Sequence, residues 1–429
     1  MLEKASIKEA FIKGFMPISS NGRSLGHTSR IQAQQALSEL EIPTTKWEAW
    51  KYTHVKPLVD RTYKAAQDAK VSDISSYLIP ELEADLLVFI NGIFSPEHSR
   101  IAHNAGMIQI QSLRNLSGEL LEVFEEHFAQ IVKDSDIFSA LNTAYAKDGV
   151  LVYVPKNKIA QAPIQILHLS STDEEEAMAI QTRNLFVVGP QAETKVVEHF
   201  HSIGSGPSLR NAVTEIWVGE NASLEYIKLQ QESDKASHID RTEVKQAQHS
   251  RFSIFTNTFS GEIVRNELSI NLEGKETETH LMGIYLMSAM QHVDNHTQVL
   301  HKKPNSFSNE LYKGIITDKA TAAFSGKIHV FQEAQKTNAF QSNRNILLSD
   351  TANIYSKPQL EIYADDVKCS HGATTGKLDE EAMFYLRARG IKKETARLML
   401  VHAFAGEVTQ HISIESVRTY VTELIAHRF

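Results

Sequence analysis

The sequence predicts a mainly β protein built around a parallel β-helix, and three observations lead to this fold class. From residue 150 to 376 the helical period is absent, and short apolar or alternating runs follow one another. Four strand–turn–strand segments resemble one another around Gly189, Gly219, Asp318 and Asp350. The separations between these four turn residues are approximate multiples of one repeat length. Helical periodicity returns on either side. Such units bury a continuous core only by stacking; a large irregular β-sandwich is the alternative.

These patterns divide the chain into three predicted domains. They are a mostly helical N-terminal domain at 1–149, the β-helix core at 150–376 and a helical C-terminal domain at 377–429. The last domain has two compatible interpretations, a cap on the open end of the solenoid and a docking surface for another protein.

The N-terminal domain combines helical and hairpin signals. Residues 5–16 and 30–40 have helical spacing, and 113–132 is long, acidic and amphipathic. Two apolar strands flank Asn91 and Gly92, a dipeptide that favours the tight turn of a β-hairpin.

An aromatic cluster, Trp47, Trp50 and Tyr52, lies near the N-terminus. Aromatic side chains bury a large apolar area. We interpret these three as anchors that hold an N-terminal arm against a domain rather than as a ligand site.

The C-terminal domain predicts three helices. Residues 379–389 begin with acidic side chains and stop at Gly390, as at a helix C-cap. Apolar stripes predict further helices at 392–408 and 414–429.

Composition excludes several classes of function. The 429 residues carry a formal net charge of −8, which lacks the basic footprint of a nucleic-acid-binding protein. A single cysteine cannot form an internal disulfide, and the apolar runs are far shorter than the roughly 20 residues that cross a bilayer. The charged opening segment does not resemble a signal peptide. We therefore expect no nucleic-acid or membrane partner and a cytoplasmic, reducing compartment.

The stretch VKCSHGATTGKL, residues 367–378, holds the most informative motif. It fails as a phosphate-binding loop, because three residues rather than four separate Gly372 from Gly376 and Leu378 stands at the magnesium-ligand position. No nucleotide cofactor is expected. The only cysteine, Cys369, lies two residues before His371, so a thiol nucleophile with a histidine base is one interpretation.

Metal ligation is the better chemical interpretation of Cys369 and His371, because thiolate and imidazole suit zinc and iron–sulfur centres. A cluster usually takes four protein ligands, so the remaining ligands would come from a partner chain. A small buried hydrophobe is the structural alternative for the cysteine. If the segment is extended without interruption, one strand face is too polar for a solenoid core, and it carries Glu361, Tyr363, Asp365, Cys369 and His371. A turn at the two aspartates would break this arrangement.

A second group of histidines lies in HVDNHTQVLH, where His292 and His296 would share one strand face and His301 the other. Their spacing fits no standard zinc pattern. His296 and His301 are therefore weak metal-ligand candidates, and solvated or hydrogen-bonded histidines are the simpler interpretation.

The stretch KCSHGATTGKLDEEAMFYLRARGI resembles the C-terminal signature of the SufB/SufD family, the scaffold subunits of the Suf iron–sulfur cluster assembly machinery. Further similarities run over nearly the whole chain, in WKYT, FINGIF, FSALNTAYAKDGVLVYVPKN, DNHTQVLH and NELYKGI. The chain resembles the SufD branch rather than SufB, because it is short and lacks the additional cysteines of SufB.

The resemblance implies a right-handed parallel β-helix between an N-terminal domain and a C-terminal helical domain. It also implies a non-catalytic role in a complex with SufB and the ABC-type ATPase SufC. A nascent iron–sulfur cluster, transient and shared with the partner chain, would form near the cysteine–histidine segment. His371 would be the ligand from this side, and Cys369 a supporting or metal-sensitive thiol.

The same resemblance implies that the C-terminal region holds SufC. The best-matched stretch contains Phe384, Tyr385, Leu386, Arg387, Arg389 and Gly390.

Two other functions stay open on the residues alone. A carbohydrate-active enzyme would suit a β-helix, but it needs paired carboxylates on one face, and the adjacent Asp365 and Asp366 would point to opposite faces of a strand. A metal-free homodimer, in which an exposed sheet edge pairs with a copy of itself, is the other.

Overall fold

The computed structural model describes residues 2–16, 25–132, 134–172 and 176–428. The chain is mainly β, with a parallel β-solenoid of about eight turns, a mixed N-terminal region and C-terminal helices. The predicted fold class is therefore confirmed, whereas the three domain boundaries stay a prediction. Within the described residues no helix has the length and apolar character needed to span a membrane.

In its described residues, the N-terminal region combines five α-helices with four short strands. In chain order these are α1 (Leu2–Lys13), α2 (His27–Glu39), α3 (Lys56–Val59), β1 (Tyr63–Ala65), β2 (Asp85–Ile90), β3 (Ile93–Phe94), β4 (Gln109–Ser112), α4 (Glu119–His127) and α5 (Ile137–Tyr145). The predicted hairpin is confirmed: β2 and β3 pair antiparallel, and Asn91 and Gly92 between them have φ values of 53° and 76°.

The predicted long helix over 113–132 is wrong in length, because α4 covers only Glu119–His127. A 3₁₀ turn at Leu113–Asn115 and Gly118, with φ of 57°, precede the helix. After it, the buried carboxylate of Glu215 accepts hydrogen bonds from the backbone N–H groups of three residues in the 129–132 segment. A side chain from the solenoid therefore replaces the helical hydrogen bonds that this segment would otherwise make.

Sixteen strands form the solenoid. They are β5 (Gly149–Val154), β6 (Ile164–Ser171), β7 (Ala177–Val188), β8 (Glu193–Ile203), β9 (Ser208–Val218), β10 (Ser223–Gln231), β11 (Ala236–Gln246), β12 (Arg251–Ser260), β13 (Ile263–Leu272), β14 (Glu278–Met287), β15 (His292–His301), β16 (Phe307–Ile316), β17 (Thr321–Val330), β18 (Asn338–Leu347), β19 (Asn353–Ile362) and β20 (Lys368–Gly376). Within the solenoid, odd-numbered strands build the first sheet and even-numbered strands the second, and the solenoid strands pair with one another in parallel. At the N-terminal end β4 adds antiparallel to β5.

The separations between the four repeat residues match the length of one solenoid coil only in part. Gly189 and Gly219 both lie where the chain passes from the first sheet to the second, whereas Asp318 and Asp350 lie where it returns. The separation within each of these two pairs is therefore one coil, but the longer step from Gly219 to Asp318 joins opposite sides of the solenoid. The interpretation of all four as one recurring unit is wrong because each coil contains two similar strand–turn–strand corners.

The interior between the two sheets is not purely apolar. Lys228 on β10 forms a buried ion pair with Asp240 on β11, across the interior. Arg210 Nε donates to Glu232 Oε1 at 2.8 Å, and both side chains are buried. The premise that a polar strand face cannot belong to the core is therefore wrong, since opposite charges and hydrogen bonds compensate one another inside.

Two of the three predicted aromatic anchors hold the N-terminal arm, whereas the Trp47 side chain is 39% exposed, so its assignment as an anchor is wrong. Trp50 is buried, stacks on Phe138 of α5 with ring centroids 5.5 Å apart, and lies under the guanidinium of Arg265. Tyr52 stacks on Tyr355 of β19 at 4.5 Å.

Three C-terminal helices follow the solenoid: α6 (Glu380–Ala388), α7 (Lys393–Thr409) and α8 (Glu415–Arg428). Their predicted positions are confirmed, as is the C-cap at Gly390, whose φ is 85°. Apolar residues of α7 and α8, including Val401 and Val421, pack with Ile227 and Phe255 on the outer face of the second sheet. These two helices cover the flank of the solenoid rather than its end, so the interpretation of the domain as an end cap is wrong for them.

Candidate functional site

The last coil of the solenoid is open. Among the described residues, β20 pairs only with β18 and β19 only with β17, so each strand presents a free edge. Every residue of β20 is exposed except Cys369, which is half-buried. The predicted site residues Cys369 and His371 thus lie together on an uncovered strand.

The Cys369 side chain faces the solenoid interior. It packs against an apolar cluster that includes Ile328 and Val330 of β17. Burial raises the pKa of the Cys369 thiol, while the nearby backbone N–H of Ala339 opposes that rise. An activated thiolate is therefore disfavoured, which argues against the nucleophile interpretation.

The chain reverses its strand parity just before this segment. Glu361 contacts Lys327 and His329 on the outer face of the first sheet. The bend at Asp365 and Asp366 separates β19 from β20. The turn anticipated as an alternative is present, and Glu361 does not share a face with Cys369.

His371 aligns with a buried polar ladder. Its register partner on β18 is Gln341, whose own partner on β16 is Glu310. Gln341 Nε2 donates to Glu310 Oε2 at 2.7 Å, and Thr297 Oγ1 donates to Glu310 Oε1 at 2.5 Å. Burial raises the pKa of Glu310 to about 7, although both hydrogen bonds lower it. A buried polar column, with the carboxyl of Glu310 as its innermost member, therefore leads from the interior to His371.

The weak candidate His301 lies inside the solenoid. Its Nε2 is 2.8 Å from Ser308 Oγ, and burial lowers the pKa of His301 to about 4, so the ring is neutral. Ser308 shares its register position with Ala339 and, one strand further, Cys369. The predicted opposition of His301 to His292 and His296 is confirmed.

The other weak candidate, His296, lies apart from the open end. It faces outward on β15, in the first sheet, with its Nε2 3.0 Å from Asp294 Oδ1. The same carboxylate pairs with buried Arg265 and accepts from Thr53 of the N-terminal arm. Burial would raise the pKa of Asp294, but Arg265 and His296 hold it well below its usual range. This cluster fixes the arm, and the structure does not bring it to Cys369.

Helix α6 carries the predicted partner-binding stretch. Asp379 caps its N-terminus by accepting from the backbone N–H groups of Glu381 and Ala382. None of its residues is buried; Phe384 is 74% exposed and Tyr385 55%. The guanidinium of Arg389 lies 4.2 Å from the centroid of the Tyr385 ring. A helix that follows the open strand directly thus displays aromatic and basic side chains to solvent.

The described part of the chain contains no group of three or more His, Cys, Asp or Glu side chains placed to hold a metal ion. Cys369 and His371 on their own provide two donors on one face of β20. Two donors are half the usual set for an iron–sulfur cluster, so any cluster at this end needs ligands from outside the described residues.

The ladder residues Glu310 and Gln341 were missed by sequence reasoning. A usable signal exists, because Glu310, Gln341 and His371 follow one another at steps of one coil each. Alternation along each strand would then place all three on the interior side.

Comparison with known proteins is consistent with this geometry. Residues 14–166 match the family described as SufBD protein N-terminal region, and residues 169–404 match the family described as SUF system FeS cluster assembly, SufBD core domain. An iron–sulfur cluster assembly SufBD family protein of Synechocystis sp. is 33% identical over 96% of this chain and 93% of its own length.

The fold defines a β-solenoid protein with helices on one flank and an uncovered last coil. The matches show that the chain belongs to the SufB/SufD family of iron–sulfur cluster assembly proteins. The resemblance to the SufD branch is confirmed by the iron–sulfur cluster assembly protein SufD of Escherichia coli, 30% identical over 92% of both chains. SufD of Bacillus subtilis is 24% identical over 99% of this chain and 98% of its own.

Proposed function

We propose that the chain is a non-catalytic scaffold subunit of a Suf complex in the cytoplasm, where it helps to assemble a transient iron–sulfur cluster. It pairs through the last coil of its β-helix with a SufB-like homologue and through its C-terminal region with a SufC-like ABC ATPase. The observation that carries this proposal is the uncovered last coil, which has free strand edges and two potential metal ligands on one strand.

Free edges favour a protein partner at this end. An exposed strand edge presents unpaired N–H and C=O groups that another strand can satisfy. A homologous solenoid has strands of the same spacing, so it can continue both sheets. A second copy of this chain has the same property, and this keeps the homodimer as the competing candidate.

The cluster is cargo rather than a resident cofactor of this chain. His371 supplies a ligand from the uncovered strand, and Cys369 a supporting thiol that becomes a ligand only after it loses its proton. The partner supplies the remaining thiolates. His296 and His301 have no part in the proposed site, because one faces outward on the other sheet and the other is buried.

The SufC-like partner docks on α6. Aromatic side chains and arginine are the residue types most enriched at binding hot spots. Phe384, Tyr385 and Arg389 are all exposed on or next to this helix. Leu386, Arg387 and Gly390 complete the proposed docking stretch.

An anaerobic pull-down of the tagged full chain from its own cells tests the proposal. We expect a cysteine-bearing homologue and an ATPase to copurify, with iron and sulfide in the assembled complex. His371→Ala should keep both partners but reduce cluster formation, whereas the control His280→Ala, on the outer surface of β14, should not. Recovery of a metal-free homodimer alone would contradict the proposal.

A variant in α6 tests this helix as the docking surface for the ATPase. Phe384→Ser should release the ATPase while the solenoid partner stays bound, because α7 and α8 still pack on the flank. Met290→Ser, at a residue 83% exposed in the turn before β15, is the matched control for loss of a large exposed apolar side chain. Equal ATPase retention by both variants would exclude α6 as the docking site.

A further inference from the structure

A buried acceptor without a partner lies one strand away from His371. Gln341 is only 3% exposed, and its Nε2 donates to Glu310. Its Oε1 has no hydrogen-bond partner among the described residues. A buried amide oxygen left unpaired costs free energy, so this atom requires an explanation.

The position of the Gln341 amide is determined by the fold. Gly326 on β17 faces it across the interior, and a Cβ at Gly326 would lie 2.3 Å from Gln341 Nε2. Gly326 lies within a regular strand. This glycine therefore supplies space for the amide rather than an unusual backbone conformation.

The direction of the amide is fixed as well. At pH 8 Glu310 is mostly ionised, because its pKa is about 7, so an amide flip would place Oε1 against a carboxylate oxygen and leave two acceptors facing each other. Glu310 in turn is held by Thr297 from the opposite sheet. Gln341 consequently keeps its N–H group toward Glu310 and its carbonyl oxygen available.

Among the described strands, β20 is the neighbour of β18 on the open side, and His371 occupies the position in register with Gln341. Register partners on adjacent parallel strands point to the same face and lie about 4.8 Å apart. A histidine and a glutamine side chain at this spacing are long enough to share a hydrogen bond.

We propose that Gln341 is a positioning residue for His371: its Oε1 accepts a hydrogen bond from one ring nitrogen and so selects the tautomer that leaves the other nitrogen free. Glu310 acts indirectly, because it accepts from Gln341 Nε2 and so orients the amide. Metal-ligating histidines usually donate their second N–H group to such an acceptor, which fixes the ring and the tautomer. The value of this arrangement to the cell rests on the proposed function of His371.

The test is selective ¹⁵N-histidine labelling of the full chain, with long-range ¹H–¹⁵N correlation at pH 8. The His371 signal is assigned by its disappearance in His371→Gln. We expect a single tautomer in the wild type and loss of that preference in Gln341→Met, which keeps the side-chain length but removes the acceptor. Gln359→Met, on the outer face of β19, is the matched control and should leave the signal unchanged.

A double variant tests the direction of the ladder. In Glu310→Gln with Gln341→Glu, the new amide donates to the new carboxylate, whose second oxygen again faces β20. The single tautomer should return, even if Gln341→Met alone folds poorly. The same tautomer mixture in the wild type and in Gln341→Met would overturn the proposal.

This result is separable from the proposed function. If His371→Ala leaves cluster assembly intact while the wild-type tautomer is fixed, the scaffold role of His371 fails and the positioning role of Gln341 stands. If the tautomer is mixed while His371→Ala blocks assembly, the positioning role of Gln341 fails and the scaffold role of His371 stands.

Discussion

The middle coils and the last coil of the solenoid treat buried polar groups differently. In the middle coils, buried charges such as Lys228 and Asp240 face an opposite charge across the interior, and each strand has neighbours on both sides. In the last coils, the buried carboxyl of Glu310 has hydrogen bonds but no opposite charge among the described residues, and β20 has a free edge. The middle coils pair their buried charges within one chain, whereas the end has free strand edges that a further strand would satisfy.

This difference has a physical consequence for mutations. Removing one member of a paired buried charge leaves the other in a medium of low dielectric constant, which is strongly destabilising. Removing a side chain from an uncovered strand takes away few contacts. Mutations in the middle coils should therefore affect stability most, and mutations in the last coil should affect function most. Three measurements test this difference.

The largest effect is expected for Lys228→Met in the middle coils. The variant leaves Asp240 buried without its cation, and we expect a loss of about 3–5 kcal/mol in the free energy of unfolding. In the wild type burial would raise the pKa of Asp240, but Lys228 and His238 lower it to about 2. Urea unfolding at pH 7, followed by circular dichroism, measures the loss.

The matched control is Lys327→Met, which removes a lysine from an ion pair with Glu361 on the outer face near the open end. Solvent screens that pair, so a loss below about 1 kcal/mol is expected. Similar losses for the two lysine variants would show that the middle and the end do not differ in the way described.

An intermediate effect is expected from the titration of Glu310. Its folded pKa of about 7 lies above the ordinary value of 4.5, so the folded state favours the protonated form. The stability contributed by that proton is complete below pH 4.5 and is lost as the pH rises through 7. From pH 5 to pH 8 the wild type should lose about 2 kcal/mol more than Glu310→Gln, which cannot ionise.

Urea unfolding of both proteins at the two pH values gives this difference directly. Burial lowers the pKa values of His199 and His301 to about 4, so those groups add stability as the pH rises toward 6.5, the opposite sign. They are present in both proteins and cancel in the comparison. Parallel pH profiles for the wild type and Glu310→Gln would mean that Glu310 keeps an ordinary pKa.

Local patterns predicted the elements but not the ladder that ends at His371, whose signal appears only at the spacing of a whole coil. Alternation along HVDNHTQVLH placed His301 opposite His296, and Gly390 marked the end of α6, because both signals lie within a short stretch of chain. The coil length varies, since the step from Arg251 to Glu278 is shorter than the step from Glu310 to Gln341. A slip of one residue reverses the face of every side chain, so such variation conceals register.

The early end of α4 shows the same limit in another form. The segment after His127 has a helical pattern, yet its backbone N–H groups donate to Glu215, which is far away in the sequence. Propensity within one stretch carries no information about such a partner. What was predictable was local, and what was missed depended on strand register or on distant side chains.

The smallest effect on stability is expected at the residue with the largest proposed role. His371 is exposed on β20 and its one proposed contact within the chain is the hydrogen bond to Gln341, so His371→Ala should change the free energy of unfolding by no more than about 1 kcal/mol, the net contribution of a single hydrogen bond. Urea unfolding of the isolated chain measures this, with His280→Ala as the surface reference. A loss several times larger than that would show that His371 is a structural member of the last coil, and any defect in cluster assembly would then reflect a damaged end. A change within that limit, together with a loss of assembly, would instead mean that the side chain serves another chain or its cargo, because its own fold depends on it for no more than one hydrogen bond.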